Sequence, residues 1–197
     1  LDFTRHMDGI VDLAPGERTA RVQPGVVLAD LNDALAPHGL KFAPDPVAGD
    51  RSAIGGAIGN NSTGAHSLVY GKTDAYVEEC EVVLADGSVA TLGETDVAEL
   101  RADADPTGDP LERVYAELVR VLDEEADEVH ERFPDLKRNV SGYNLDVLVE
   151  EAESGTVNLA RLLAGSEGTL AVVTEAEVSL EPVPETKAVS LLFYESV

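Results

Sequence analysis

A glycine-rich stretch, RSAIGGAIGNNSTGAHSLVYGK (51–72), has the residue types that bind a ligand through the main chain. Gly55, Gly56 and Gly59 permit positive φ and let a ligand approach the backbone, where exposed N–H groups can form an anion-binding concavity. Residues 60–63 add hydrogen-bonding groups without positive charge. The same glycines also suit a tight pair of turns or a bulge, so the stretch alone leaves both interpretations open.

A second polar cluster lies in LKRNVSGYNLDVL (136–148), where cations stand out in an otherwise acidic chain. The cluster comprises Lys137, Arg138, Asn139, Ser141, Gly142 and Tyr143. A basic cluster just before a turn is also typical of a solvated face or of an intramolecular ion-pair partner. Its residue types alone therefore leave an active-site role and a structural role open.

The histidines and the cysteine do not indicate a metal site. His6, His38 and His130 are isolated in sequence, and no histidine pair has the helical spacing of metal ligands, so we expect them to be exposed. Cys80 is the only cysteine, which excludes an internal disulfide and an all-cysteine metal site. We expect Cys80 to be a small buried residue in a strand.

The charge of the chain excludes some partners. Against 14 Lys plus Arg stand 38 Asp plus Glu, which gives a net charge of −24 and argues against binding to nucleic acid or an anionic membrane. The acids are dispersed and only four cations are lysines, a pattern that we interpret as adaptation to a salt-rich cytoplasm rather than as a site for a cationic partner. The sequence contains no run of about 18 apolar residues, which a membrane-spanning helix would need. We expect a cytoplasmic protein.

Antiparallel strand signals interspersed with helices predict an α+β fold. A Rossmann fold is not indicated, because no G-x-G-x-x-G follows a strand and opens a helix. The predicted elements are a strand in 18–25, a helix in 28–39 that ends at Gly39, a hairpin in 77–92 that turns at Asp86-Gly87, a helix in 109–133, a short helix in 158–165 and a strand-rich segment in 168–183.

The helix in 109–133 has the clearest local signals. Asp109 suits the N-cap, Pro110 the first helical position, and Glu112 completes a capping box. The predicted buried stripe consists of Val114, Leu118, Val121 and Leu122.

Three sequence blocks together resemble a known family. APDPVAGDRSAIGG (43–56), Tyr70-Gly71 and ARLLAGSEGTLAVVTEAEVSL (160–180) resemble the PCMH-type flavin-binding domain of the FAD-linked oxidases of the vanillyl-alcohol oxidase type. Within that superfamily, the chain is most similar to the branch of D-lactate, glycolate and D-2-hydroxyglutarate dehydrogenases. The resemblance implies a mainly antiparallel sheet flanked by helices, with FAD held between two α+β subdomains and its ring facing a separate substrate domain.

The resemblance also implies which residues contact FAD. They are Pro44, Asp45, Ser52, Ile54, Gly55, Gly56, Gly59, Asn60 and Gly64 in and just after the first block, and Glu167, Gly168, Leu170 and Val173 in the third. Ser52 suits a phosphate oxygen, and the main chain at Val173 suits an adenine edge. Glu167 could instead simply cap a turn, and we do not expect covalent flavin attachment at His66.

In the same branch, a segment like 136–148 lies near the flavin ring. The resemblance therefore implies that Arg138 helps to anchor a carboxylate and that Tyr143 lines the pocket. Hydride transfer from a small 2-hydroxy acid to flavin needs that anchoring together with deprotonation of the hydroxyl, for which no residue of this chain is a convincing base. Electrons would pass on to a quinone, a carrier protein or a fused iron-sulfur module.

The domain organisation expected from the resemblance is an FAD-binding domain in 1–184 and the start of a substrate domain in 185–197. The family would carry a glycine-rich pyrophosphate loop and a first subdomain before residue 1, so we expect this FAD-binding domain to be incomplete and the chain to be inactive by itself. A different class of function also stays open: a non-catalytic nucleotide-binding or interaction module from a halophile.

Overall fold

A five-stranded antiparallel sheet organises the chain, of which the computed structural model describes residues 2–44, 48–186, 188, 190, 191 and 193. The strands are β1 (Ile10–Ala14), β2 (Thr19–Val22), β3 (Leu40–Lys41), β4 (Val77–Val83), β5 (Val89–Leu92), β6 (Glu94–Asp96), β7 (Thr156–Asn158), β8 (Val172–Ser179) and β9 (Glu181–Pro182). The main sheet has the order β1-β2-β8-β4-β5, and β3-β9 and β6-β7 form two small antiparallel pairs.

The helices pack around this sheet. They are α1 (Leu28–Leu35), α2 (Ile54–Gly59), α3 (Ser67–Tyr70), α4 (Val97–Ala102), α5 (Pro110–Arg120), α6 (Ala126–Arg132), α7 (Leu145–Ala152) and α8 (Leu159–Leu163). Single 3-10 turns cover Ala36–His38 and Thr73–Tyr76, and a π-helical turn at Val121–Glu125 joins α5 to α6. The expected α+β architecture is confirmed.

One face of the main sheet builds the core because small and β-branched residues alternate along its central strands. Cys80 and Val82 of β4 and Ala176 and Val178 of β8 are each 0% exposed. The expected burial of Cys80 in a strand is confirmed, and this burial raises the pKa of its thiol to about 12.

Most elements predicted from local signals are confirmed. The strand in 18–25, the helix ending at Gly39 (φ 67°), the hairpin turning at Gly87 (φ 90°) and the helix in 158–165 are all present. The capping box of α5 forms as expected, with both Asp109 and Glu112 side chains bonded to the main chain. Helix α7 and the β6-β7 pair were not predicted, and the glycine-rich stretch contains helix α2 rather than turns alone.

The predicted stripe of the helix in 109–133 is wrong at one position. Val114 is 39% exposed, whereas Leu118 and Val121 are buried. Leu111 and Tyr115 pack against the core instead of Val114, while Leu122 packs as predicted. Tertiary neighbours decide this difference, because more than one face of the first turns offers apolar side chains.

The outer face of the main sheet is acidic and centres on one cation. Glu79 lies directly opposite Glu177 in the β4-β8 ladder, and Glu81 lies directly opposite Glu175. Such like-charged pairs repel each other. Arg21 of β2 offsets the repulsion, since its guanidinium contacts Glu79 at 2.5 Å and Glu177 at 3.0 Å, and the hydrogen bond to Glu79 raises the pKa of Arg21.

We predict that Arg21→Met lowers the free energy of unfolding by about 2 kcal/mol in 0.1 M salt, because Glu79, Glu175 and Glu177 then lack their cation. In about 2 M salt the loss should shrink to less than half, since the repulsion is screened over a few ångströms. Urea unfolding at both salt concentrations measures this difference. Arg101→Met, which removes the exposed pair with Asp123, is the matched control and should change stability by less than about 1 kcal/mol. A loss from Arg21→Met that is the same at both salt concentrations would contradict the prediction.

Candidate functional site

An open cleft of about 510 Å³ lies where helix α2 meets the segment before β8. Two main-chain hydrogen bonds join the walls: the Gly165 N–H donates to the Ile58 carbonyl (2.9 Å), and the Glu167 N–H donates to the Gly59 carbonyl (2.8 Å). The lining residues are Phe3, Pro24, Gly55, Gly56, Ile58, Gly59, Asn60, Leu163, Ser166, Glu167, Gly168, Ala171, Val172 and Val173. The first and third sequence blocks therefore build one site.

Adjacent glycines in α2 have different roles. A Cβ at Gly55 would lie 2.6 Å from the Pro24 Cβ, so this position permits the close packing of α2 against residue 24. A Cβ at Gly56 would meet no atom within 4 Å, and a side chain there would point into free space. Ile54, Ala57 and Ile58 are buried at helical spacing and hold α2 in the core. The helix is thus fixed on one side and bare on the other.

Seven of the thirteen predicted cofactor contacts line the cleft together. They are Gly55, Gly56, Gly59, Asn60, Glu167, Gly168 and Val173. Ile54 has its side chain in the core, with 0% exposure, and its N–H donates to the Val26 carbonyl. Pro44, Ser52, Gly64 and Leu170 do not line this cleft, and Asp45 lies outside the described residues.

The turn at the second wall requires unusual backbone angles. Glu167 has φ 52° and Gly168 has φ 75°, both in the left-handed region. The strain at Glu167 is held by the hydrogen bond from its N–H to Gly59. The exposed Glu167 side chain borders the cleft, so its residue both forms the turn and faces the site.

The segment 136–148 contacts residues that lie close in sequence to both walls of the cleft. The Arg138 guanidinium donates to the Thr63 hydroxyl (3.1 Å), three residues after Asn60. The Tyr143 hydroxyl shares a hydrogen bond of 3.0 Å with the Thr169 hydroxyl, next to Gly168. Both side chains are exposed, so they lie where a molecule entering beside the cleft would meet them.

A buried polar cluster, here called the Asn61 network, lies behind the cleft. The Asn61 amide donates to Asp74 Oδ2 (3.0 Å) and to Asn144 Oδ1 (3.3 Å), and its oxygen accepts from the Asp74 N–H (3.0 Å). Asn144 donates in turn to the carbonyls of Arg161 and Ala164, both at 3.0 Å. Lys72 completes the network by pairing with Asp74 Oδ2 at 2.8 Å.

Sequence reasoning missed this network. The sequence marks the pair Asn60-Asn61 as polar and places only Asn60 in the predicted site, whereas Asn61 is 0% exposed and has φ 45°. Asn tolerates the left-handed region better than most residues, which was the available signal. Lys72 and Asp74 gave no signal because their partners are distant in sequence.

The remaining expectations concern metals and membranes. His6, His38 and His130 are exposed, as predicted. Across the described ranges, no group of three His, Cys, Asp or Glu side chains could hold a metal ion. In the same part of the chain, no helix is both long and apolar enough to cross a bilayer. His66 precedes α3, and its covalent attachment to flavin stays untested.

The residues of the cleft fit a flat, largely apolar group with polar edges. Its walls are mostly apolar and include Pro24, Leu163 and Val173, while the bare helix at Gly56 leaves a space that a side chain would otherwise fill. Pockets of this kind and size take organic cofactors. Among the lining residues that the structure describes, Glu167 is the only charged one, so main-chain dipoles would have to meet a negatively charged part of a ligand there.

Residues 1–93 match a protein family that is described as an FAD binding domain. The match confirms FAD as the cofactor of this domain, and it covers the first wall of the cleft.

Curated relatives extend the similarity of the FAD binding domain over the whole chain. D-2-hydroxyglutarate dehydrogenase of Haemophilus influenzae is 35% identical over 100% of this chain, which spans 19% of that protein. Glycolate oxidase subunit GlcD of Bacillus subtilis is 34% identical over 98% of the chain and 30% of its own length. D-lactate dehydrogenase of Archaeoglobus fulgidus is 31% identical over 84% of the chain and 25% of its own length. The chain thus spans less than a third of each of these relatives.

A solved structure supports the fold of the FAD binding domain. Alkyldihydroxyacetonephosphate synthase superposes with a TM-score of 0.54 at 21% identity, over 92% of this chain and 23% of its own length. The PCMH-type fold expected from the sequence is confirmed, together with its antiparallel sheet and flanking helices.

The Asn61 network yields a stability prediction. Asn61→Gly removes three side-chain hydrogen bonds but accepts positive φ, and it should lower the free energy of unfolding by about 2–4 kcal/mol. Asn61→Ala removes the same bonds and adds left-handed strain, so it should be less stable by about 1 kcal/mol more. Asn60→Ala is the matched control and should change stability by less than about 0.5 kcal/mol. Denaturant unfolding separates the three, and equal stability of the Asn61 and Asn60 variants would contradict the prediction.

Proposed function

We propose that this chain is the FAD-binding core of a flavin-dependent oxidoreductase that oxidises a small 2-hydroxy acid of the lactate, glycolate or 2-hydroxyglutarate type. The observation that carries the proposal is the cleft itself, in which the first and third sequence blocks meet and Gly56 leaves room for a ligand. The relatives named above act on 2-hydroxy acids by their names, and this supports the substrate class.

Each group of residues has a proposed role. When bound, FAD would supply the acceptor for the hydride that leaves the substrate α-carbon. The main chain at Gly56 and Gly59 would approach the cofactor, and the aliphatic wall would keep water away from it. Arg138 would anchor the substrate carboxylate, and Tyr143 would line the pocket beside it.

The contacts assigned to Pro44, Asp45, Ser52, Ile54, Gly64 and Leu170 remain part of this proposal. Contact at Ile54 would have to use its main-chain carbonyl, because its N–H and side chain are engaged in the core. The proposed domain boundary also stays as predicted, with an FAD-binding domain in 1–184 and a substrate domain starting in 185–197, a range that lies partly outside the described residues.

The wider setting is also proposed. Electrons would pass to a quinone, a carrier protein or a fused iron-sulfur module, and the protein would work in the cytoplasm without binding nucleic acid. Two features support a salt-rich habitat: the net charge of −24 and the opposed glutamate pairs on β4 and β8. In both, negative charges repel each other strongly at low ionic strength, and salt screens this repulsion.

Gly56→Val tests the cofactor site. The new side chain would occupy the ligand volume without touching the protein, so we expect FAD affinity to fall at least a hundredfold while the melting temperature of the apoprotein changes little. Flavin fluorescence titration of the full-length protein in multimolar salt measures affinity, and thermal unfolding measures stability.

Two glycines provide controls for this test. Gly16 is equally open but lies in the β1-β2 turn, so Gly16→Val should leave FAD affinity unchanged. Gly55→Val should lower stability, since its Cβ would collide with Pro24. Unchanged FAD affinity in folded Gly56→Val would refute the proposed site. FAD binding without turnover of any 2-hydroxy acid would favour a non-catalytic nucleotide-binding module.

Arg138→Met tests the substrate class. Loss of a charge-assisted hydrogen bond to a carboxylate weakens binding by about 1.5–3 kcal/mol, so KM for the 2-hydroxy acid should rise roughly tenfold to a hundredfold. FAD affinity should stay the same, because Arg138 does not line the cleft. Lys137→Met removes the neighbouring exposed cation and serves as the control for net charge. An equal, small change in both variants would indicate that the cluster acts only through its overall charge.

A further inference from the structure

Lys72 has an unusual position for a lysine. Its side chain is only 13% exposed, and its ammonium pairs with Asp74 Oδ2 at 2.8 Å, where Asp74 is itself buried. The same Nζ donates to the main-chain carbonyl of Asn139 at 3.0 Å. One ammonium therefore links the Asn61 network to the segment that carries Arg138 and Tyr143.

The segment in 136–143 needs such a link. Its main-chain hydrogen bonds are local, such as that from the Asn139 N–H to the Leu136 carbonyl, and its residues are largely exposed. Arg138 and Tyr143 reach the walls through exposed hydroxyl contacts at Thr63 and Thr169. Exposed contacts of this kind open easily, whereas the bond from Lys72 is anchored to a buried carboxylate.

We infer that Lys72 is a positioning residue, which holds the carbonyl of Asn139 and thereby places Arg138 beside the cleft. This inference rests on the proposed function, in which Arg138 meets the substrate carboxylate. Lys72 itself touches neither the cleft nor Arg138. Its effect passes along the main chain from the Asn139 carbonyl to the preceding residue, Arg138.

To isolate this role, we compare the single variant Asp74→Asn with the double variant Lys72→Met/Asp74→Asn. Asparagine at 74 keeps an acceptor for Asn61, and it prevents a lone buried carboxylate in the double variant. The two proteins then differ only in the side chain at 72. Lys72→Arg is the rescue variant, since its guanidinium keeps the charge and the donors.

Two readouts are expected to change in the FAD-loaded full-length protein. Trypsin should cut after Lys137 and Arg138 about tenfold faster in Lys72→Met/Asp74→Asn than in Asp74→Asn, because the segment opens more often. KM for the 2-hydroxy acid should rise about tenfold, while kcat and the FAD dissociation constant stay within about twofold. Lys72→Arg should match the wild-type protein within about threefold on both readouts.

A double-mutant cycle with Arg138→Met distinguishes positioning from a general loss of structure. If Lys72 acts through Arg138, removing Lys72 in the Arg138→Met background should not raise KM further. A further tenfold rise would overturn the inference, as would an unchanged trypsin rate in a folded Lys72→Met/Asp74→Asn protein. If that variant does not fold, Lys72→Gln/Asp74→Asn replaces it, because glutamine is one atom shorter and cannot reach the Asn139 carbonyl.

The outcome also separates this inference from the proposed function. An unchanged KM in Arg138→Met would remove Arg138 from the substrate site, yet faster trypsin cleavage would still show that Lys72 positions the segment. The opposite result is a raised KM in Arg138→Met together with a KM and a trypsin cleavage rate in Lys72→Met/Asp74→Asn that equal those of the wild-type protein. It would support the proposed function and overturn only the inference about Lys72.

Discussion

The buried side chain of Asn61 is the contact on which the site depends. Four segments converge on it. Helix α2 ends just before it, Asp74 bonds both the NH2 group and the oxygen of its amide, and Asn144 accepts a second hydrogen bond from the NH2 group. Asn144 in turn holds the chain at 161–164. A buried amide is unfavourable unless its donors and acceptor are all used, so these segments have one arrangement that satisfies it. The positive φ of Asn61 is retained because the network defines it from every side.

The second constraint is that the main chains of these segments approach each other closely, and it follows from their convergence on Asn61. Gly165 has φ 88°, and a Cβ there would lie 3.0 Å from the Gly142 carbonyl and 3.6 Å from the Asn61 Cβ. Only a residue without a side chain lets the segments around Asn61 meet this closely. The glycines of the two blocks therefore serve two ends: Gly55 and Gly165 permit packing, while Gly56 keeps a surface bare for a ligand.

The sequence predicted what local chemistry determines. The Asp86-Gly87 hairpin, the capping box at Asp109 and the alternation around Cys80 each depend on a few neighbouring residues, and each is found. The resemblance also located both walls of the cleft. What could not be predicted depends on distant partners: Gly55 differs from Gly56 because of Pro24, and Lys72 matters because of a carbonyl 67 residues away. Likewise, Val114 and its neighbour Tyr115 project in different directions from the helix, and only packing decides which of them faces the core.

A chain with a net charge of −24 has to hold an anionic cofactor and, on our proposal, an anionic substrate. At the cleft it does so with few cations, since the described lining has neutral residues and one glutamate. Main-chain dipoles and apolar walls attract without net charge, and they are insensitive to the salt that screens surface ions. Where a full positive charge is required, the chain places single cations at defined points: Arg21 between glutamates, Lys72 beside Asp74, and Arg138 beside the cleft. The dispersed acidic surface and the few local cations are thus compatible. The acidic surface affects the interaction with the solvent, whereas each cation affects only groups within a few ångströms of it.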